Sequence, residues 1–454
     1  MFGEIDEQTI LKYSSQVPRY TSYPTAPNFS AGIDSNTYIS WLKDLGQEET
    51  LSLYIHIPFC QQLCWYCGCY TTITQRYEPI ENYANILEQE IRLVGEILRQ
   101  KKHRVSHIHF GGGSPTILTP DSFKFLMATI RAEFEIAQDA EIAIEVDPRN
   151  VDEDKIKTYF ECGINRVSLG VQDFNQEVQA AINREQSFDL VRDCVKNFRK
   201  HGIKNINLDL IYGLPKQTVE MVKNNIDYSL RLDPDRIALF AYAHVGWKKK
   251  HMRLIEESDL PDDSTRIKMY KSAAEKLQRS GYLSIGLDHF AKPSDTMVQA
   301  FRDEKLKRNF QGYSTDTSDN IIGFGVSSIG YLSGFGYVQN TLDFKEYEKG
   351  ILTRKLAISK GIKISKEDQI RKKIIDEIMC YLEVDLKEIS AFFDLPENYF
   401  GAEIAKLEDL KKDGLVRVKN NVIKINVATP QISRVVCSIF DKFFESSAQK
   451  YSKI

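Results

Sequence analysis

LSLYIHIPFCQQLCWYCGCY, residues 51–70, joins an apolar run to an unusual loop. The first seven residues are apolar and partly β-branched, which predicts a buried strand. The loop that follows holds four of the chain's eight cysteines: Cys60, Cys64, Cys67 and Cys69. The fold class depends on the strand and helix patterns that follow this strand. The chemistry depends on whether the loop binds a metal or a metal cluster.

Five further runs of the same character follow this strand. The six runs are LSLYIHI (51–57), VSHIHF (105–110), EIAIEV (141–146), RVSLGV (166–171), NINLDLI (205–211) and RIALFAY (236–242). Helical patterns fill the gaps between them, as where Leu87, Ile91, Val94 and Leu98 recur at intervals of three and four. Thr119-Pro120 predicts the start of one helix, and Gly163 and Gly202 predict the ends of two others. Repeated strand–helix units imply parallel strands joined by right-handed crossovers. We therefore predict an α/β fold with a partial (β/α)6 barrel; a doubly wound sheet is the alternative.

The two ends of the chain differ from this pattern. Residues 1–50 contain VPRYTSYPTAPNF (17–29), whose three prolines predict an extended arm near the active site. Residues 51–355 are predicted to form the barrel and its extension. Residues 356–454 show helical patterns and then LVRVKNNVIKIN (415–426), typical of a hairpin with an Asn-Asn turn. We expect a mostly helical, winged-helix-like domain that serves as an appendage rather than as a DNA-binding module.

Composition excludes several classes of function. The 454 residues include 60 basic and 63 acidic side chains, so the net charge of −3 offers no basis for binding nucleic acid. No apolar run approaches the roughly 18 residues of a membrane span. The first residues, MFGEIDEQTI, are partly acidic and have no apolar core, unlike a secretion signal. We expect a cytoplasmic protein that binds neither membrane nor nucleic acid.

Three interpretations of the cysteine loop compete. Structural zinc usually takes two cysteine pairs about a dozen or more residues apart, and no second pair follows here. Four exposed thiols without any metal would be a chemical liability. An iron–sulfur cluster held by three thiolates leaves one iron open for a small molecule. The spacing favours the open cluster and leaves zinc and the metal-free loop as alternatives.

Polar residues and glycines recur where the predicted strands end. In barrels these C-terminal strand ends form the active site. The residues concerned are GGGSPT (111–116), Glu145, Gln172, Asp173, Asp209 and AYAHV (241–245). Glycines there let the backbone approach a ligand closely, and Glu145 could accept hydrogen bonds from ribose hydroxyls. Any one of them could be an ordinary loop residue, but their recurrence at successive strand ends predicts a binding site.

The C-x3-C-x2-C spacing of Cys60, Cys64 and Cys67, just past the first strand, resembles that of the radical S-adenosylmethionine (SAM) enzymes. The resemblance implies that these three residues hold a [4Fe–4S] cluster whose open iron is chelated by SAM. In that family the reduced cluster cleaves SAM to a 5′-deoxyadenosyl radical. By the same resemblance Cys69 is not a cluster ligand, and its role is open.

Longer motifs narrow the resemblance to the oxygen-independent coproporphyrinogen III dehydrogenases. They are PRYTSYPTA (18–26), CGC (67–69), GGGSPT, EVDPR (145–149), NREQ (183–186), NLDLIYGLPKQT (207–218), NFQGY (309–313) and GFGVSSIGYL (323–332). The match extends over nearly the whole chain. It implies oxidative decarboxylation of two propionates of coproporphyrinogen III to vinyl groups, giving protoporphyrinogen IX, with two SAM molecules consumed. It also implies an electron donor and an electron acceptor, neither of which the sequence identifies, and we expect a monomer.

The resemblance also implies roles for individual residues. The catalytic set would be Cys60, Cys64, Cys67 and Glu145. The SAM on the cluster would contact Tyr54, Gly112, Glu145 and Ile329. A second SAM would contact Tyr66, Gly113, Ser114, Gln172, Arg184, Asp209 and Ala243. Arg19, Tyr20 and Gln311 would lie near the substrate. The alternative function is a haem-binding chaperone of the same superfamily, against which the PRYTSYPTA arm and Cys69 both argue.

Overall fold

The computed structural model of the protein describes residues 5–99 and 103–444. Residues 1–4 and 445–454, the outer ends of the predicted arm and C-terminal domain, lie outside the described residues. The strands are β1 (Leu51–Ile57), β2 (Phe59–Cys60), β3 (Thr72–Ile73), β4 (Arg104–Gly112), β5 (Glu135–Val146), β6 (Arg166–Gln172), β7 (Asn205–Tyr212), β8 (Arg236–Ala241), β9 (Leu283–Ile285), β10 (His289–Ala291), β11 (Lys307–Asn309), β12 (Gly312–Ser314), β13 (Asn320–Phe324), β14 (Ile329–Leu332), β15 (Gly336–Asn340), β16 (Ile358–Lys363), β17 (Glu383–Asp385), β18 (Val416–Lys419) and β19 (Val422–Ile425).

The α-helices lie mostly between these strands. They are α1 (Glu7–Lys12), α2 (Ser35–Asp44), α3 (Glu78–Leu98), α4 (Pro120–Glu133), α5 (Glu153–Glu161), α6 (Gln176–Ala181), α7 (Phe188–Lys200), α8 (Val219–Arg231), α9 (Asp263–Arg279), α10 (Thr296–Arg302), α11 (Phe344–Leu352), α12 (Lys366–Tyr381), α13 (Leu386–Phe393), α14 (Gly401–Lys406), α15 (Glu408–Lys412) and α16 (Ile432–Phe440). Short 3-10 helices cover Ala26–Asn28, Pro115–Ile117, Pro148–Asn150, Lys250–Leu254 and Glu257–Asp259. Among the described residues, no helix has the length and apolarity needed to cross a membrane.

The six predicted strands lie side by side in chain order. They are β1, β4, β5, β6, β7 and β8, and every neighbouring pair is parallel. The order runs in one direction, whereas a doubly wound sheet reverses it at a switch point. The predicted α/β class with parallel strand–helix units is therefore confirmed. Because the C-terminal ends of parallel strands lie at one edge, the polar residues that follow them share one face of the molecule.

The sheet extends further than the sequence predicted. On the free side of β1, β13 pairs with it in parallel, and β14, β15 and β16 follow antiparallel. Beyond β8, β10 and β9 add two antiparallel strands, so that this sheet has twelve strands within the described residues. Gly323 in β13 permits the tight return into β14, since a Cβ there would lie 2.7 Å from the carbonyl oxygen of Ile329. Short strands separated by glycine-rich turns carry little periodicity, so these strands could not be predicted from the sequence pattern.

Local signals in the sequence were more reliable. The Thr119 hydroxyl caps α4 by accepting from the backbone N–H of Ser122, and Pro120 is the first helical residue, as predicted. Gly163 and Gly202 follow α5 and α7 with φ values of +87° and +95°. These helix-capping residues act through local backbone geometry, so their role can be predicted without knowledge of the tertiary fold.

The N-terminal arm is extended only in part. It is extended around the predicted PRYTSYPTA segment, but α1 precedes that segment and α2 follows it. Tyr20 and Tyr23 are buried in the apolar cluster of the C-terminal helices, whereas Trp41 packs into the core beneath the large sheet. The arm therefore ties the two parts of the chain together and has no core of its own.

The C-terminal hairpin is confirmed. Strands β18 and β19 are joined by Asn420 and Asn421, both at positive φ, and β17 adds a third strand beside β19. Helices α12 and α16 pack against each other in this part of the chain. The comparison with a winged helix stays an interpretation, and we propose the boundaries at 50/51 and 355/356 as a working division.

Candidate active site

A cavity of about 820 Å³ opens at the C-terminal ends of the parallel strands. The arm, the strand ends and the C-terminal helices all contribute to its lining. Twelve of the residues assigned to a site by the sequence lie on its wall: Cys60, Cys64, Tyr66, Cys67, Gly112, Gly113, Ser114, Glu145, Gln172, Arg184, Asp209 and Ala243. Cys69, Arg19 and Gln311 line it as well. Within the predicted SAM set, the fold thus brings together residues as far apart in the sequence as Tyr66 and Ala243.

The thiols of the cysteine loop lie close to hydrogen-bond donors and to two arginines from other parts of the chain. The Thr71 hydroxyl donates to Cys60 Sγ at 3.2 Å. Arg184 Nη1 lies 3.5 Å from Cys64 Sγ, and Arg149 Nη2 lies 3.8 Å from the same sulfur. Because positive charge and donors favour the thiolate, this environment suits cysteines that act as metal ligands.

Cys69 lies against the third cysteine of the motif. A hydrogen bond from the Cys69 thiol lowers the pKa of Cys67 to about 7, and burial opposes that shift. By contrast, burial raises the pKa of Cys60 to about 12. Cys69 therefore lies next to a residue proposed as a cluster ligand, and its own role stays open.

The three thiols of the motif need not converge on one point to hold a cluster, because in a [4Fe–4S] cube each thiolate binds a different iron. In the described part of the chain, no group of three His, Cys, Asp or Glu side chains that could hold a single ion is found.

The glycines of GGGSPT are required by the protein itself. A Cβ on Gly112, whose φ is +116°, would lie 2.7 Å from the His56 ring. A Cβ on Gly113 would lie 2.7 Å from the carbonyl oxygen of Phe59. Close packing of the end of β4 against the segment that leads into the cysteine loop thus demands glycine here. We predicted that these glycines let the backbone approach a ligand, and the contacts supply a second reason for glycine at both positions.

Glu145 is held at both carboxylate oxygens. Its Oε2 accepts from the backbone N–H of Gly112 at 3.2 Å, and its Oε1 lies 3.1 Å from His109 Nε2. Its side chain is still 40% exposed, and it faces the cavity. A carboxylate carries more lone pairs than these two contacts use, so Glu145 can accept hydrogen bonds from a ligand.

Arg184 is fixed by Asp147, a residue that the sequence analysis quoted only within EVDPR. Arg184 Nη1 lies 3.2 Å from Asp147 Oδ2, and Arg149 Nη2 lies 2.7 Å from the same oxygen. Burial would raise the pKa of Asp147, but these two arginines outweigh it and hold the pKa below its usual value. The buried Nε of Arg184 has no hydrogen-bond partner and remains available to a ligand.

Asp209 supplies a further carboxylate to the cavity wall. It accepts hydrogen bonds from Ser168 Oγ at 2.9 Å and from Asn207 Nδ2 at 2.8 Å. Burial raises its pKa to about 6. Gln172, at the end of β6, adopts a φ of +67°, a left-handed conformation that is uncommon for residues other than glycine and often marks functional sites.

Three predicted residues lie elsewhere. Tyr54 is not among the residues that line the cavity; its hydroxyl lies 2.9 Å from His56 Nδ1 and its ring stacks on His109. Ile329 begins β14 and packs beside Phe29 and Tyr337. Tyr20 is buried and donates to Asp441 at 3.0 Å. The assignment of Tyr54 and Ile329 to SAM stays a prediction, and the described cavity wall is formed by other side chains.

The lysine run after β8 meets the cysteine loop. Lys249 Nζ donates to the carbonyl oxygen of Cys69 at 3.0 Å, and His251 Nε2 lies 2.8 Å from the carbonyl oxygen of Cys67. Lys248 and Lys249 also line the cavity. A run such as KKK (248–250) is usually a solvated charge cluster, but here Lys249 also binds the cysteine loop. No local pattern signals this contact, since the two segments are about 180 residues apart.

Parallel strands that carry a three-cysteine loop after the first strand, with a glycine-rich loop after the second, define the radical SAM class. Residues 54–228 match the radical SAM superfamily. That family implies a [4Fe–4S] cluster and SAM as cofactors. The whole chain is 43% identical to the oxygen-independent coproporphyrinogen III oxidase of Bradyrhizobium diazoefficiens, over 96% of this chain and 97% of that protein. It is 37% identical to the enzyme of the same name from Salmonella typhimurium, over 99% and 98% of the two chains.

The same relationship appears in three dimensions. The structure of coproporphyrinogen III oxidase from Escherichia coli, described as a radical SAM enzyme, superposes with a TM-score of 0.91. It is 36% identical and covers 97% of this chain and 100% of that chain. The chain belongs to the family of oxygen-independent coproporphyrinogen III oxidases. These matches support the enzyme and not the haem-binding chaperone.

Proposed function

We propose that the protein oxidatively decarboxylates two propionate side chains of coproporphyrinogen III to vinyl groups, giving protoporphyrinogen IX in anaerobic porphyrin biosynthesis. The observation that carries this proposal is the composition of the cavity wall. The arm, through Arg19, and the C-terminal helices, through Arg434, line the same cavity as the cysteine loop. A radical SAM core alone would not need these two segments, whereas a large polyanionic substrate would.

The residues of the cysteine loop suit the cofactors of the class. Cys60, Cys64 and Cys67 would hold the [4Fe–4S] cluster, and Glu145 would orient the SAM bound to it. When bound and reduced, the cluster and SAM supply a 5′-deoxyadenosyl radical that abstracts a hydrogen atom from the propionate β-carbon. The substrate then loses CO₂ and passes one electron to an acceptor, which leaves a vinyl group. The walls of the cavity would limit the access of water to the reacting carbon of a bound substrate.

A second SAM would lie against the neighbouring wall. The residues available there are Tyr66, Gly113, Ser114, Gln172, Arg184, Asp209 and Ala243, all on the cavity lining. The free Nε of Arg184 suits the SAM carboxylate, and the partly occupied oxygens of Asp209 suit a hydroxyl or an ammonium. This assignment accounts for two SAM per product.

The remaining partners follow from the reaction. It needs a one-electron donor for the cluster and an acceptor for the substrate electron. We propose that the enzyme works as a monomer in the cytoplasm, since all eight cysteines are free thiols and a reducing compartment keeps them so.

An anaerobic assay tests the proposal. The cluster is reconstituted and reduced, SAM and coproporphyrinogen III are added with a cell extract as acceptor, and products are followed by mass. We expect the loss of two CO₂ with 5′-deoxyadenosine formed in step. Cleavage of SAM without decarboxylation would refute the substrate. Tight haem binding with neither reaction would favour the chaperone instead.

A further inference from the structure

Arg308 is a buried cation on the cavity wall with unused hydrogen-bond donors. It lies in β11, opposite Tyr313 of β12, and its side chain is only 6% exposed. Its Nε and Nη1 atoms are buried and have no hydrogen-bond partner. Such donors are costly to leave unsatisfied, and a buried charge normally has a partner that accepts from it.

The nearest acid does not satisfy this guanidinium. Asp288 Oδ1 lies 3.9 Å from Arg308 Nη1, beyond hydrogen-bond distance. The same oxygen already lies 2.7 Å from Nδ1 of His289. Asp288 therefore lowers the electrostatic cost of burying Arg308 while leaving its donors free for a ligand.

The position of Arg308 is rigid. Its guanidinium carbon lies 4.4 Å from the centroid of the Tyr313 ring, in a cation–π contact. The Tyr313 hydroxyl donates to the carbonyl oxygen of Met379 in α12 and accepts from the backbone N–H of Leu287 at 2.9 Å. The C-terminal helices thus hold Arg308 in place before any ligand arrives, which reduces the entropy lost on binding.

Two further arginines share this part of the cavity. Arg19 donates through Nη2 to the carbonyl oxygen of Ala241 at 3.1 Å, and Arg434 holds the arm through the carbonyl oxygens of Val17 and Pro18. Burial and then repulsion from Arg19 and Arg308 together lower the pKa of Arg434 to about 9. Mutual repulsion of this kind is relieved when an anion binds among the cations.

We propose that Arg308, with Arg19, binds a propionate carboxylate of the substrate that does not react, and so positions the tetrapyrrole with another propionate at the cysteine loop. This rests on the proposed function and deepens it. Two propionates remain in protoporphyrinogen IX, so an anchor for a retained carboxylate serves both decarboxylations. A guanidinium forms two parallel hydrogen bonds with a carboxylate, which fixes orientation as well as affinity.

SAM also carries a carboxylate, so the test must distinguish the two ligands. The probes are coproporphyrin III, its tetramethyl ester and SAM, each titrated anaerobically into the cluster-reconstituted full-length enzyme by calorimetry. The variants are Arg308→Met and Arg308→Lys, with Arg279→Met as the control, since Arg279 is 81% exposed on α9. A charge-assisted hydrogen bond is worth a factor of about 10 to 100 in affinity.

We expect Arg308→Met to weaken coproporphyrin III binding by about 10- to 100-fold, Arg308→Lys to recover part of it, and Arg279→Met to match the wild type. The tetramethyl ester should bind the wild type and Arg308→Met equally weakly, and SAM affinity should not change. Unchanged coproporphyrin III binding in Arg308→Met would overturn the anchor and leave the decarboxylase intact. Loss of SAM affinity instead would also overturn it.

Two further results distinguish a failure of the proposed carboxylate anchor from a failure of the proposed decarboxylase function. Charge-dependent coproporphyrin III binding through Arg308 in an enzyme that decarboxylates nothing would keep the anchor and refute the proposed function. If Arg308→Met fails to fold, the anchor is tested by the affinity of Arg19→Met for coproporphyrin III and by the affinity of the wild type for the tetramethyl ester. Equal wild-type affinity for ester and free acid, with no effect of Arg19→Met, would overturn the anchor.

Discussion

Glu145 at the end of β5 accepts a hydrogen bond from the backbone N–H of Gly112 at the end of β4, with an Oε2–N distance of 3.2 Å. Neighbouring parallel strands end side by side, so this bond joins two loops that both line the cavity. His109 holds the other carboxylate oxygen at 3.1 Å. The carboxylate is thus oriented before a ligand binds.

Replacement of Glu145 by Ala should weaken SAM binding by about 10- to 100-fold, because a charged acceptor for a ribose hydroxyl is lost. Cluster content should stay at the wild-type level, since Glu145 contacts none of the three cysteines proposed as ligands. Equilibrium dialysis with SAM and an iron assay measure the two quantities. Glu275→Ala, on the surface of α9, is the matched control. Wild-type SAM affinity in Glu145→Ala would show that the ribose assignment is wrong.

Replacement of Cys64 by Ala should abolish both the brown colour of the reconstituted protein and SAM cleavage. Two thiolates cannot retain a cube that needs three ligands to leave one iron open. Cys194→Ala removes a buried thiol from α7 and should keep full iron and sulfide content. Iron and acid-labile sulfide analysis is the measurement. A Cys64→Ala protein with wild-type iron content would contradict the assignment of the ligands.

Replacement of His251 by Ala should make the cluster less resistant to air. His251 contacts the carbonyl oxygen of Cys67 at 2.8 Å and so ties the loop after β8 to the cysteine loop. Without it we expect the absorbance of the cluster to decay several-fold faster on exposure to oxygen, with SAM affinity little changed. His201→Ala is the control, because His201 pairs with Glu153 on the surface. Equal decay rates would show that this contact does not protect the loop.

Replacement of Glu90 by Gln should flatten the dependence of stability on pH. Glu90 accepts from the backbone N–H of Gly325, from Asn340 Nδ2 and from the Tyr347 hydroxyl. Burial raises its pKa from 4.5 to about 7, and these hydrogen bonds only partly oppose the shift. The folded state therefore holds the proton more tightly than the unfolded state.

Because the folded state binds this proton more tightly, the free energy of unfolding decreases as the pH rises. The stabilising contribution of Glu90 is fully present below pH 4.5 and is lost as the pH rises through 7, by an amount of the order of 3 kcal/mol. Urea unfolding between pH 4.5 and 8 measures it. Glu90→Gln should lose this slope whatever its absolute stability, whereas Glu153→Gln, on the surface, should keep it. An unchanged slope in Glu90→Gln would refute the role of Glu90.

Sequence reasoning succeeded where the signal is local. Strand β1 was readable from its apolar run, α4 from Thr119 and Pro120, and the β18–β19 hairpin from Asn420 and Asn421. Each of these features depends on the conformational preferences of a few consecutive residues. The same reasoning missed β13, whose place beside β1 depends on pairing across almost 270 residues.

The candidate site divides in the same way. The spacing of Cys60, Cys64 and Cys67 is local, so the cluster loop could be predicted from the residues and from the resemblance they carry. Asp147 as the partner of Arg184, and Lys249 as the partner of the cysteine loop, could not. A lysine or an aspartate has no sequence signature that distinguishes a buried partner from a solvated charge.

By itself, the sequence determined the parallel α/β class, the cysteine loop and its chemistry, because apolar periodicity, backbone capping and ligand spacing act over a few residues. Only the tertiary structure decided which side chains share the cavity and that two donors of Arg308 lack a hydrogen-bond partner. The cavity-lining arginines Arg19, Arg308 and Arg434 come from the arm, a short hairpin and the last helix described. Burial and hydrogen-bond satisfaction depend on every neighbouring element, so they exist only once the chain has folded.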